Sequence, residues 1–113
     1  MEISFSKKPL QKTCGSEKES NKKWGRATAK RVRQRLAELA AADTLSDMSH
    51  LPPARCHELT GKRKGLFAVN VSAKMRLIFK PDHSPVPENK HGGIDLNKIT
   101  KITILEVADY HGE

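Results

Sequence analysis

The sequence predicts an α+β domain in which N-terminal helices pack on a small twisted antiparallel β-sheet, and three observations carry that expectation. A stretch rich in Ala, Leu, Arg and Lys with helical periodicity fills residues 20–42. From Ala54 onward the apolar pattern changes to that of strands, and the first two turns between those strands are too short for anything but antiparallel neighbours. With 113 residues the chain is one domain, 1–113, which buries roughly 65% of its unfolded surface and leaves no room for a large cofactor enzyme.

Taken in order, Ile3 to Phe5 alternate with polar neighbours and predict a short strand, followed by helical character around Pro9 to Cys14. Ser20 to Ala42 predicts one long helix capped by Ser20 or Asn21. At 100° per residue, Trp24, Thr28, Leu39, Val32, Leu36, Ala29 and Ala40 fall within an arc of roughly 160°, with Arg33, Arg26, Lys30 and Lys23 beside it. Arg35 falls inside the apolar arc and must snorkel or pair with a carboxylate. Asp43 or Thr44 caps a short helical turn through Met48, which Pro52-Pro53 stop. Strands are expected over Ala54 to Leu59, Leu66 to Ser72, Lys74 to Lys80 and Lys98 to Ala108, with turns at Gly61 to Gly65 and Ser72-Ala73. Polar residues 81–97, with three prolines and Gly92-Gly93, read as a long mobile loop insertion.

The formal charge is +8, from 21 Lys and Arg against 13 Asp and Glu. Residues 1–35 hold 11 basic and 3 acidic side chains, whereas the rest of the chain holds 10 of each, so the excess lies in the N-terminal third. One basic surface of this kind suits a polyanion, nucleic acid above all, although a charge run also serves simply as a solvated face. Lys23, Arg26, Lys30 and Arg33 are the RNA-binding candidates on the helix, and Lys62, Arg63 and Lys64 those in the first hairpin turn. No apolar run is long enough for a membrane span and the N-terminus lacks a secretory core, which makes the cytoplasm the expected location. Cys14 and Cys56 stand far apart in dissimilar surroundings and read as reduced thiols.

Candidate chemistry concentrates in a few residues. His57 lies in the first strand after the helices. Arg76 interrupts the hydrophobic Met75-Arg76-Leu77-Ile78-Phe79, where a charge is costly unless it is paired, for instance with Glu106 or Asp109, or faces a phosphate-sized anion. Asp109-Tyr110-His111 follow directly on a strand that is apolar on both faces: the imidazole serves acid/base work, the phenol donates or stacks, and the carboxylate orients an imidazole. There is no phosphate-binding Gly loop, no Cys or His pair at zinc spacing and no Gly-framed serine, so neither a metal nor a cofactor is expected. A set of His, Tyr, Asp and Arg beside a basic helix suits RNA cleavage by attack of a 2′-hydroxyl on its adjacent phosphate.

The order Arg55-Cys56-His57-Glu58-Leu59-Thr60-Gly61, Lys62-Arg63-Lys64-Gly65, Phe67-Ala68-Val69-Asn70-Val71-Ser72, Met75-Arg76-Leu77-Ile78-Phe79 and Asp109-Tyr110-His111 resembles the HigB branch of the RelE/ParE toxins of bacterial toxin-antitoxin systems, from about Trp24 onward. The resemblance implies helices on a twisted antiparallel sheet and a toxin that cleaves translated mRNA in the ribosomal A site. It assigns acid/base work to His57 and His111, positioning or proton transfer to Asp109 and Tyr110, and phosphate stabilisation to Arg76. The implied partners are the ribosome, mRNA and a cognate antitoxin, usually a helix-turn-helix protein, with operator DNA bound only through the toxin–antitoxin complex. Other readings within the superfamily are a non-catalytic gyrase inhibitor of the ParE type and an inactive RNA-binding module. The chain departs from the family pattern at Thr60, where a lysine is frequent and Lys62 or Lys64 would have to substitute, and in the length of the loop 81–97.

Overall fold

The computed structural model describes residues 1–109, apart from the side chain of His50. Strand β1 (Glu2–Phe5) leads into α1 (Lys8–Cys14), α2 (Glu17–Trp24) and α3 (Arg26–Ala41), and a 3-10 turn (Leu45–His50) precedes β2 (His57–Glu58). Strands β3 (Phe67–Asn70), β4 (Met75–Pro81) and β5 (Lys101–Asp109) complete a five-stranded sheet in the order β1-β5-β4-β3-β2. The expected α+β architecture is present. The four strands from β2 to β5 pair antiparallel, whereas β1 joins the free edge of β5 in parallel, with Ile3 beside Ile102. That pairing makes the sheet mixed. It is a long-range crossover through all the helices, which local periodicity does not encode.

The single helix expected over Ser20 to Ala42 is two helices. Gly25 takes φ +82° and ψ 156°, a conformation essentially reserved for glycine, and there the chain turns from α2 into α3. Ser16, not Ser20, caps α2 by accepting from the Glu19 N–H at 3.1 Å. Ser20 is buried inside α2, where its hydroxyl donates to the Ser16 carbonyl at 2.8 Å and accepts from the Arg33 guanidinium at 2.9 Å. Nothing lies within 4 Å of a Cβ built on Gly25, so Gly25→Ala costs backbone strain without a clash. Thermal unfolding is expected to show a loss of about 1–3 kcal/mol for that variant.

The strand expected over Ala54 to Leu59 shrinks to two residues. Arg55 adopts φ +47° after the Pro52-Pro53 turn, and that left-handed residue cannot continue a ladder. At the other end of the sheet, Pro81 still pairs with Ile102, so the excursion begins at Asp82. It is folded onto the domain: Glu88 bridges to Ile94, the Asn89 Oδ1 accepts from the His91 and Gly93 N–H groups at 2.8 and 3.1 Å, and Val86, Ile94 and Leu96 pack against the core.

Strand alternation divides the side chains between two faces. Val32, Leu39, Leu45 and Met48 cover one face, together with Phe67, Val69, Leu77, Phe79, Ile102 and Ile104 from the strands. Leu59, Ala68 and Ile78 form a smaller cluster on the other face, joined by Leu66, Leu105 and Ala108. The register of β4 on β5 shifts after Ile78, which faces Glu106, because Phe79 faces Ile104; Leu105 is the extra residue of a bulge. The bulge returns Val107 to the main core. No described helix is long and apolar enough to cross a membrane.

Candidate active site

The second face of the sheet carries the site. His57 is opposite Ala68, Asn70 is opposite Arg76, and Arg76 is opposite Ala108, so the side chains of His57, Asn70 and Arg76 share this face. Two strand spacings and two residues along the sheet separate the His57 and Arg76 backbones by roughly 12 Å, a gap that an imidazole and a guanidinium close from either side of a phosphate. Ala68, small and buried, keeps the ground between them low.

Above these residues opens a cleft of about 770 Å³. Its floor is His57, Asn70 and Arg76; one wall comes from Ser49, Leu51, Pro52, Arg55 and Cys56, and the other from Ser72 and Ala73 in the β3–β4 turn. Among the described residues the lining contains two guanidiniums and no carboxylate, which is the charge balance of an anion site. The Ser72 hydroxyl accepts from the Lys74 and Met75 N–H groups at 3.3 and 3.1 Å and so holds the turn closed.

The His57 ring is oriented by its own segment. Nδ1 lies 2.8 Å from the Arg55 carbonyl, which can only accept, so Nδ1 carries a proton and the lone pair of the neutral ring is on Nε2. The left-handed Arg55 turns that carbonyl toward the ring. Behind the floor, Asn70 joins three elements. Its N–H donates to the Ala54 carbonyl at 2.6 Å, and its own carbonyl accepts at 2.6 Å from Nε of the buried Arg35 on α3. Arg35 also pairs with Glu38 at 3.1 Å, the carboxylate partner that its place in the apolar arc requires.

Asp109 ends β5 opposite Met75, one register position from Arg76, and is exposed outside the cleft lining. Tyr110 and His111 lie outside the described residues. Lys23, Arg26 and Lys30 are exposed on the helices, and Lys23 stands 5.9 Å from the Trp24 ring centroid, a cation–π distance. Arg33 is half-buried on Ser20; Lys62 and Arg63 lie in the 3-10 turn Gly61–Arg63 between β2 and β3, and Lys64 follows it. None of these seven lines the cleft. Arg55, Asn70 and Ser72 do, and sequence reasoning does not single them out as site residues. The adjacency of Arg55 to His57 is the available signal for the first, whereas Asn70 and Ser72 depend on strand pairing. Among the described residues, no group of three or more His, Cys, Asp and Glu side chains comes together as a metal site requires.

Burial pushes the Cys56 thiol, on the cleft wall, up to about 12, and raises Cys14 to about 11 against the opposing pull of Lys23. Both thiols therefore stay protonated and unreactive, and at pH 8 alkylation of the native protein is expected to be about tenfold or more slower than that of the unfolded chain. The unfolded thiols ionise near 9.0, so stability is full below that pH and declines as pH rises toward 11 to 12; urea midpoints at pH 7.5 and 9.5 check the sign.

Comparison with curated protein sequences finds no match. Among solved structures, the YoeB/ParE toxin from Agrobacterium tumefaciens is similar with a TM-score of 0.52 at 8% identity, over 98% of this chain and 100% of that one. The YoeB-YefM complex from Staphylococcus aureus is similar with a TM-score of 0.55 at 12% identity, over 99% of this chain and 98% of the matched chain. Likeness at such identities is likeness of fold, and it agrees with the helices and five-stranded sheet described above. Residues 3–91, which carry most of β1, the helices, His57 and Arg76, match the family model described as the RelE-like toxin of the type II toxin-antitoxin system HigB, and the chain accordingly belongs to the HigB-like toxin family.

Proposed function

We propose that the protein is a ribosome-dependent mRNA endoribonuclease working by acid/base attack of the 2′-hydroxyl on the adjacent phosphate. The observation that carries this reading is the cleft in which His57 and Arg76 share one sheet face, lined among the described residues by two guanidiniums and no carboxylate. A phosphodiester bound there lies against the guanidinium of Arg76, which stabilises the extra negative charge that develops on the phosphorus oxygens. One imidazole removes the 2′-hydroxyl proton and a second acid protonates the departing 5′-oxygen. Nε2 of His57 is free for one of these transfers, and His111 is the proposed partner, with Asp109 and Tyr110 positioning or relaying. The products are a 2′,3′-cyclic phosphate and a 5′-hydroxyl.

Lys23, Arg26, Lys30 and Arg33, with Lys62, Arg63 and Lys64 around the cleft's edge strand, are the proposed contacts to ribosomal RNA and message, and the ribosome supplies part of the substrate geometry. Charge reversal at Arg26 and Lys30 is expected to flatten the salt dependence of ribosome association by about one slope unit for each phosphate that is no longer neutralised; an unchanged slope returns that face to solubility alone. A cognate antitoxin and a cytoplasmic location belong to the same proposal, supported by the toxin family and by the YoeB-YefM neighbour. Mapping mRNA 5′ ends after brief induction tests the reading: new cuts within translated frames are expected, and intact messages with arrested replication would favour gyrase inhibition instead.

A further inference from the structure

A second cavity, of about 300 Å³, opens beside the cleft and shares His57, Ser49 and Cys56 with it. Its apolar lining is Leu45, Phe67, Ile94 and Leu96, and its polar lining includes Glu58 and Asn89. Two of these residues, Ile94 and Leu96, and Asn89 come from the folded excursion between β4 and β5, so that segment forms one side of the cavity. No Lys or Arg lines it among the described residues, and Glu58 opposes an anion. A phosphate therefore stays in the cleft, and what enters the smaller cavity is a neutral, flat group with polar edges.

We propose that this cavity is a pocket for one unstacked nucleobase adjacent to the scissile phosphate, and that it favours bases carrying an amino group; the inference rests on the nuclease reading above. His57, Ser49 and Cys56 line both cavities, so a phosphate held in the cleft beside His57 puts a neighbouring base within one nucleotide of the pocket. The apolar residues take the ring faces, and the polar pair reads an edge. Asn89 commits its Oδ1 to the His91 and Gly93 N–H groups, which leaves Nδ2 as a donor. Glu58 accepts from the Gly65 N–H at 3.0 Å through Oε2 and has further acceptor capacity, with no donor. A donor and an acceptor-only carboxylate suit adenine, cytosine and guanine, whose amino groups point a hydrogen outward. Uracil sets two carbonyls around its single N–H and turns oxygen toward the carboxylate.

The test is the base composition around cut sites mapped for the unsubstituted protein, Glu58→Gln and Asn89→Asp. Both substitutions keep an oxygen for the structural backbone bonds and change only what the pocket offers. Depletion of uracil at one position flanking the cut is expected for the unsubstituted protein, and Glu58→Gln should raise uracil there about fivefold, the low end for one edge contact. Asn89→Asp should alter the preference at the same position. Cutting with no base bias at the flanking positions, or with a bias that neither variant moves, overturns the pocket and leaves the nuclease standing; no cutting by the unsubstituted protein overturns both. Should the variants lose cutting altogether, methyl NMR of the unsubstituted protein decides. Adenosine or cytidine 5′-monophosphate should shift the Ile94 and Leu96 methyls and ribose 5-phosphate should not, and equal or absent shifts overturn the pocket.

Discussion

Replacing Arg76 by methionine is expected to abolish growth arrest and to slow message cleavage by at least about 10²-fold, the usual cost of removing one preorganised group that stabilises transition-state charge. Arg76 is only 6% exposed and is held in β4 between Asn70 and Ala108, so the proposed phosphate contact would come from a side chain with a fixed base. Arg76→Lys separates charge from geometry. It keeps the positive charge and loses the planar fork, and an intermediate rate is expected. Full activity in the methionine variant, with a native circular dichroism spectrum, would remove Arg76 from the chemistry.

The largest expected loss of stability is that of Phe79→Ala. Phe79 is fully buried where β4 lies between β3 and β5, and its ring stacks on Phe67 with centroids 5.9 Å apart and planes 19° apart. Truncation leaves a cavity under the helices and costs about 3–5 kcal/mol. Small domains have roughly 5–15 kcal/mol in total, so the variant should show a much lower urea midpoint and poor accumulation. A loss below about 1 kcal/mol would mean that the core collapses around the missing ring and that the two-face division of the sheet is less tight than described.

Residue chemistry makes part of this molecule legible before any coordinates. The short turns at Gly61 to Gly65 and Ser72-Ala73 predict antiparallel neighbours that the structure reproduces, and Arg35 inside the apolar arc, expected to snorkel or pair with a carboxylate, pairs with Glu38. What is not legible depends on conformation or on distant pairing. Helical periodicity runs on through Gly25 in the sequence, and only a φ of +82° reveals the break. Arg55 has no sequence feature that announces a left-handed residue, yet that residue both cuts β2 short and aims its carbonyl at His57. Asn70 reads as an ordinary strand residue. Its importance comes from Arg35, Ala54 and Arg76, which reach it from a helix, a loop and a neighbouring strand. The charge excess of the N-terminal third correctly locates an exposed basic surface at Lys23, Arg26 and Lys30, but not its separation from the cleft.

Chemical analysis of the cut ends addresses the mechanism most directly. Message isolated after brief induction, or cut in a reconstituted translation reaction, should carry a 2′,3′-cyclic phosphate or its 3′-phosphate hydrolysis product upstream of each break and a 5′-hydroxyl downstream. Ends bearing a 3′-hydroxyl and a 5′-phosphate would contradict attack by the 2′-hydroxyl within the His57–Arg76 cleft.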